Sequence, residues 1–241
     1  MSTALILGAS GDIGAATARE LAKQGWSLYL HFHNNEDRIN ALTAELAAAY
    51  PHQDFLTVRA DLTDVQSADA IVQQLFSVDA VVVAAGMTYY ELFADTTVEH
   101  LTNLLRVHLL TPMAVIRQLQ DKLAVSGHGR IVFVGSVYGE AGSPMEVGYS
   151  TVKGAQSAFA HAYAQEVASL GITVNVVAPG AVDTKMNAEF GRAALDAVTE
   201  DIPAQRLAQP ADIAFFINTL ISESAGYLTG QTLNVTGGWL R

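Results

Sequence analysis

The 241-residue sequence predicts an α/β fold, a doubly wound parallel sheet of about seven strands with helices on both faces. Three observations carry that expectation. Short apolar runs alternate with helical patterns along the whole chain. One run, Ala80-Val81-Val82-Val83-Ala84, is apolar without interruption, as a strand covered on both faces requires. The first strand pattern, Thr3–Leu7, passes through a glycine-rich turn straight into a helical pattern, the order of a Rossmann-type dinucleotide unit.

Composition fits one domain spanning 1-241. Half of the residues are hydrophobic and mean hydropathy is +0.25, enough for a large core. The absence of cysteine excludes disulfides and thiolate metal sites, and no metal ligand set is read from the sequence. A net charge of -11 argues against nucleic acid and anionic membranes as partners. The start of the chain has no basic n-region, and no apolar run is long enough to span a bilayer, so a cytoplasmic protein is expected.

The turn Gly8-Ala9-Ser10-Gly11-Asp12-Ile13-Gly14 is the phosphate-binding candidate. Glycines let backbone approach a pyrophosphate, and the following helix supplies free N–H groups and the positive end of its dipole. Strand two, Ser27–His33, places Leu28, Leu30 and Phe32 on one face, which leaves His31 and His33 as solvent-facing positions. It runs into Asn34 without the carboxylate that would bond a ribose 2′-OH. NADP(H) is therefore favoured over NAD(H), although the nearest basic residue is Arg38. Further along, Asp61-Leu62 follows strand three at the adenine edge, and Ala84-Ala85-Gly86 ends the buried strand.

From Val98 to Val125 the pattern is helical and apolar nearly all round, with a kink expected at Pro112. The excess apolar surface predicts a second burial against a partner subunit. Arg130–Val134 then reads as strand five and delivers Ser136 at its carboxyl end, where open α/β sheets bind ligands. Tyr149 and Lys153 lie four apart on the next helix, so they share a face. A lysine cation there should lower the phenol pKa toward neutrality. Strand six, Ile172–Ala178, ends in Pro179-Gly180-Ala181-Val182-Asp183-Thr184, with Val182 and Thr184 placed for a carboxamide. Residues 185-207 read as a lid, followed by a helix from Pro210 and a last strand, Thr232–Val235.

In this order and spacing these motifs resemble the short-chain dehydrogenase/reductase family over the whole chain. The resemblance rests on Gly8 to Gly14, Asp61-Leu62, Ala85-Gly86, Ser136, Tyr149-xxx-Lys153, Asn175-Val176-Val177-Ala178-Pro179-Gly180, and Thr229-Gly230-Gln231 with Gly237-Gly238. It implies an NAD(P)H-dependent reductase in which Tyr149 protonates a carbonyl oxygen and Ser136 hydrogen-bonds it. Lys153 tunes the tyrosine and holds the nicotinamide ribose, and the assembly is a homotetramer. Two residues depart from the family pattern. Asp12 stands where a glycine is usual, and His108 stands where an asparagine holds a relay water. His108 either replaces that asparagine, since an imidazole can both donate and accept, or alters the relay.

The substrate implied is a ketone that is small, carrier-bound or part of a modified protein. Glu166 to Asn175 resembles 3-oxoacyl-acyl-carrier-protein reductases, but the basic residues that receive an acidic carrier are lost at Leu170 and near Gly127. His108, Tyr138 to Gly142, Glu146 to Ser150, Lys153 to Gln156 and Ala181 to Thr184 are similar to reductases of the 5-aminopentanone group on elongation factor P. Glu140 or Glu146 could then pair with the substrate's amine. A non-catalytic dinucleotide sensor ranks below both, because Ser136, Tyr149 and Lys153 are all present.

Overall fold

A computed structural model describes residues 2–188 and 191–239. Its centre is one sheet of seven parallel strands: β1 (Thr3–Leu7), β2 (Ser27–Phe32), β3 (Phe55–Arg59), β4 (Ala80–Val83), β5 (Arg130–Val134), β6 (Thr173–Pro179) and β7 (Thr232–Val235). The order across the sheet is β3-β2-β1-β4-β5-β6-β7. The chain winds outward from β1 in one direction, returns to β4 beside it, and winds outward in the other. That reversal opens a crevice at the carboxyl ends of β1 and β4, which are in register from Ala4↔Ala80 to Leu7↔Val83.

Both faces of the sheet are buried, which is why β1, β2, β4, β5 and β6 are apolar on nearly every residue. The period of two divides each strand between two cores. Leu5 and Leu7 face one, with Val81, Ile131, Phe133 and Val174. Ala4 and Ile6 face the other, with Leu28, Leu30, Val82 and Val132. Helices α1 (Asp12–Lys23) and α2 (Glu36–Ala49) cover the second core. The first is covered by α3 (Ser67–Gln73) and by helices from the two long apolar stretches of the sequence.

The first of those stretches is not one kinked helix. It divides into α4 (Val98–Leu105), a wide π-helical turn (Arg106–Leu110) and α5 (Thr111–Val125). The break lies upstream of Pro112 rather than at it. Pro112 has no N–H to donate to the carbonyl of His108 four residues earlier, so the irregularity falls on the turn that carries the lost bond. That carbonyl instead accepts the Gln156 side-chain amide, at 2.9 Å.

The chain continues through a short α6 (Tyr138–Ala141), the long α7 (Val147–Val167), α8 (Lys185–Ala188), α9 (Arg192–Asp201) and α10 (Pro210–Ile221), which packs with α1 on the second core. The segment expected as a lid is thus largely helical, and α9 buries none of its residues fully. Glu189 and Phe190 of that segment lie outside the described residues. Among the described residues no helix is long and apolar enough to cross a membrane.

Candidate active site

The crevice is a cleft of about 860 Å³ running along the carboxyl edge of the sheet. Its floor at β1 is shaped by glycine. Gly8 has a φ of +86°, and a Cβ there would fall 2.5 Å from the Ala85 backbone. Gly14 performs a different task from the one expected. It does not line the cleft; a Cβ on it would lie 2.2 Å from the Gly8 carbonyl, so it lets α1 seat against the turn. The amino end of α1 opens on the cleft with no side chain capping it. Glycine cradle, free amides and elongated cleft together fit a nicotinamide dinucleotide.

The dinucleotide residues expected from sequence line this cleft in large part: Gly8, Ser10, Gly11, Asp12 and Ile13 from the first turn; His33, Asp61 and Leu62 at the adenine side; Ala84, Ala85 and Gly86 after β4; and Pro179, Gly180, Val182 and Thr184 after β6. Asn34 does not. It is exposed outside the cleft, and its neighbour Asn35 lines the wall instead.

His31 corrects the reading of strand two. It is buried, not solvent-facing, because helices cover both faces of β2. Its Nδ1 accepts the Gly8 N–H at 3.0 Å and its Nε2 donates to the Ala60 carbonyl at 3.2 Å. Burial lowers its pKa to about 4, so a neutral imidazole clamps the glycine turn to β2 and β3. Arg38, from sequence only the nearest basic residue to the turn after β2, has a partner in the structure. It reaches back from α2 to pair with Asp12 at 2.5 Å, and both line the cleft.

At the other end stand Ser136, Tyr149 and Lys153. Gly135 and Ser136 follow β5, and the Ser136 Oγ accepts the Tyr138 N–H at 3.2 Å. Tyr149 and Lys153 lie in the first turns of α7. The lysine Nζ is 5.4 Å from the phenol ring centroid and donates to the Val134 carbonyl at 2.7 Å. Lys153 is buried, and burial pulls its pKa down to about 7.

The expected depression of the tyrosine pKa is not what this environment produces. Burial raises it above the ordinary phenol value; a hydrogen bond with Ser136 offsets part of this, while the Glu146 and Tyr138 charges push it further up. The i, i+4 spacing brings the two groups together as expected, but desolvation penalises the phenolate and the ammonium alike.

His108 lies behind this group rather than in the cleft. Its Nε2 meets both the Met87 carbonyl, at 2.8 Å, and the Met87 N–H, at 3.2 Å; in the tautomer that donates to the nearer carbonyl, Nδ1 is an acceptor, buried and without a partner among the described residues. Its ring meets the Tyr149 ring edge to face at 5.6 Å. Burial, then the Lys153 charge, lowers its pKa to about 3, so it is neutral at any working pH.

The two glutamates separate. Glu140 is exposed on α6, does not line the cleft, and accepts a hydrogen bond from Asn234 at 3.1 Å. Its expected place at the substrate is therefore not found; the α6 turn carries it outward. Glu146 is buried in the wall of the cleft, where it accepts from Thr88 at 2.9 Å and Ser143 at 3.2 Å.

Fold and site together define an oxidoreductase acting between CH–OH and C=O with a nicotinamide dinucleotide. Residues 8–240 match the family model described as enoyl-(acyl carrier protein) reductase. The chain is 38% identical over 238 residues to the uncharacterized oxidoreductase YmfI of Bacillus subtilis, covering 98% of each chain. It is 34% identical over 239 residues to the 3-oxoacyl-[acyl-carrier-protein] reductase FabG of Rickettsia bellii, covering 99% of this chain and 96% of that one. The angucycline C-6 ketoreductase LanV, solved with bound NADP, superposes with a TM-score of 0.92 at 26% identity, over 99% of this chain and 95% of that one. The chain belongs to the short-chain dehydrogenase/reductase family.

Proposed function

We propose that this enzyme reduces a ketone to a secondary alcohol with NADPH. The observation that carries the reading is the convergence of Ser136, Tyr149 and Lys153 at the carboxyl end of β5, opening on the same cleft as the glycine turn. The reduced nicotinamide, when bound, supplies the hydride. Ser136 and Tyr149 hold the carbonyl oxygen, so charge developing there meets two aligned hydroxyl donors. As the carbon–oxygen π bond breaks, the Tyr149 O–H passes its proton to that oxygen. The raised phenol pKa keeps Tyr149 protonated until then. Lys153, with two N–H donors beyond the one on Val134, holds the nicotinamide ribose and stabilises the phenolate left behind. His108 Nδ1 serves as a relay acceptor behind the lysine.

For the ketone, two readings stand. One is a 3-oxoacyl thioester, supported by the FabG relative. The other is an amine-bearing ketone such as the 5-aminopentanone group on elongation factor P, and one observation favours it. Glu146 is buried at the reacting end, bonded to two hydroxyls and to no lysine, arginine or histidine among the described residues. A buried carboxylate short of a counter-ion is expensive, and a substrate ammonium would supply one.

Turnover is followed as NADPH oxidation with an acetoacetyl thioester, a neutral ketone and aminopentanone-modified elongation factor P. Tyr149→Phe abolishes turnover with every substrate while NADPH binding persists. Glu146→Gln raises KM for the amine-bearing ketone roughly tenfold, as loss of one charge-assisted contact predicts, and leaves the neutral ketone nearly unchanged. An equal change for both ketones would remove the cationic reading and leave the reductase reading intact. The exposed apolar residues of α4, the π-helical turn and α7, Val98, Leu105, Leu110 and Val147 among them, are assigned to contact with further copies in a homotetramer; sedimentation as a monomer would refute that.

A further inference from the structure

Asp12 occupies an unusual place. It begins α1 inside the glycine run, where a side chain must turn away from any bound pyrophosphate. Both of its oxygens are committed across the fold. Oδ1 takes the Arg38 guanidinium at 2.5 Å, and Oδ2 accepts the Lys185 backbone N–H at 2.7 Å, at the start of α8. The pair is mostly enclosed, with side-chain exposures of 32% for Arg38 and 20% for Asp12.

Among the described residues, the lysines and arginines lining the cleft are Arg38, Lys153 and Lys185. Lys153 is held at the reacting end by Val134. Arg38 stands next to His33 and Asn35 just beyond β2, where this fold reads the adenosine ribose and where an arginine accommodates a 2′-phosphate. Three nearby carboxylates are paired elsewhere: Glu45 with Arg19 at 2.7 Å, Glu36 with Arg59 at 3.7 Å, and Asp61 with His33 at 3.6 Å. Among the described residues Asp12 is the carboxylate paired with Arg38. A guanidinium binds carboxylate and phosphate through the same planar fork, so the two anions compete for it.

We propose that Asp12 is an internal surrogate for the 2′-phosphate of NADP(H). It keeps Arg38 docked in the cleft wall and is displaced from the guanidinium when that phosphate binds, so the Asp12–Arg38 pair sets the preference between the phosphorylated and unphosphorylated dinucleotide. A ligand without the 2′-phosphate leaves the pair intact. A ligand with it must break the pair, then gains a dianion on the same cation.

The inference rests on the NADPH reading, and adenosine fragments separate the two without any turnover. The intact protein is titrated calorimetrically with adenosine 2′,5′-bisphosphate and with ADP. Asp12→Asn keeps an oxygen for the Lys185 N–H but removes the charge that engages Arg38. It tightens the 2′,5′-bisphosphate several-fold and leaves ADP within about twofold. Arg38→Gln weakens the 2′,5′-bisphosphate roughly tenfold and again spares ADP. Retained ADP binding shows that each variant is folded. An Asp12→Asn protein that binds the 2′,5′-bisphosphate no tighter, or tightens on both ligands alike, overturns the surrogate. So does an Arg38→Gln protein whose preference is unchanged. A wild-type protein that binds the 2′,5′-bisphosphate no tighter than AMP, which differs from it only in lacking the 2′-phosphate, overturns the NADPH reading itself, and the surrogate with it.

Discussion

Two buried cations mark the two ends of β5. Arg130 begins the strand and Lys153 bonds the carbonyl of Val134, which ends it. Both are nearly inaccessible, at 2% and 4% exposure, and neither has a carboxylate partner among the described residues. The difference lies in how many donors are used. Arg130 spreads Nε and both Nη groups over the carbonyls of Gly129, Gly171, Ser222 and Glu223, closing the carboxyl end of α10. Lys153 has one carbonyl for three N–H bonds. Its charge is poorly compensated, and its pKa falls to about 7. The amino edge of the sheet is where a cation is satisfied and serves stability; the carboxyl edge is where one is left short and can serve chemistry.

Replacing each cation by methionine tests that contrast. Lys153→Met lowers turnover by on the order of 10²–10⁴-fold, the range for loss of acid–base assistance. It also stabilises the fold. The folded lysine gives up its proton near pH 7, while the unfolded one keeps it to the ordinary lysine value. The unfolded state thus binds more protons between those limits, and wild-type stability rises with pH across that window. The burden removed at neutral pH is a few kcal/mol, and urea denaturation of Lys153→Met loses that pH dependence. Arg130→Met does the reverse. It costs about 2–4 kcal/mol by stripping donors from buried carbonyls, with kcat of the folded fraction unchanged. If Lys153→Met is the less stable protein at neutral pH, the contrast is wrong.

The same lysine predicts a pH limb. With the cation needed to hold the phenolate, kcat/KM falls as pH rises through about 7 in the free enzyme. His108, neutral above pH of about 3, contributes no limb in that range. A limb that moves with His108→Asn but not with Lys153→Arg would reassign the titrating group.

What the sequence made legible is what local pattern controls. Alternation, uninterrupted apolar runs and glycine turns define the sheet, its double winding and the cleft, because each depends on neighbours within a few residues. The i, i+4 spacing of Tyr149 and Lys153 was equally readable. The direction of their pKa shifts was not, since desolvation depends on everything packed around them and not on their separation. His31 misled for a related reason: alternation assigns a residue to a face of β2, but only the distant helices decide whether that face is wet. Glu140 and Glu146 were indistinguishable by position in the chain; one turn of α6 sends the first outward, while the start of α7 buries the second. The Asp12–Arg38 contact spans two elements and had no local signature beyond an acid in a glycine run.

The smallest expected effect concerns the wall between His108 and the cleft. A Cβ on Gly86 would sit 3.0 Å from His108 Cε1, tighter than ordinary contact. His108 cannot withdraw easily: its Nε2 is fixed by the Met87 carbonyl, and its own carbonyl is held by Gln156. Gly86→Ala therefore costs about 1–3 kcal/mol by overpacking. In a His108→Asn background the shorter side chain leaves room for the methyl group, and most of that cost disappears. Thermal unfolding of the four proteins in this cycle gives the coupling directly. An undiminished penalty in the asparagine background would show that Gly86 answers to the backbone turn after β4, and that the histidine does not dictate its neighbour.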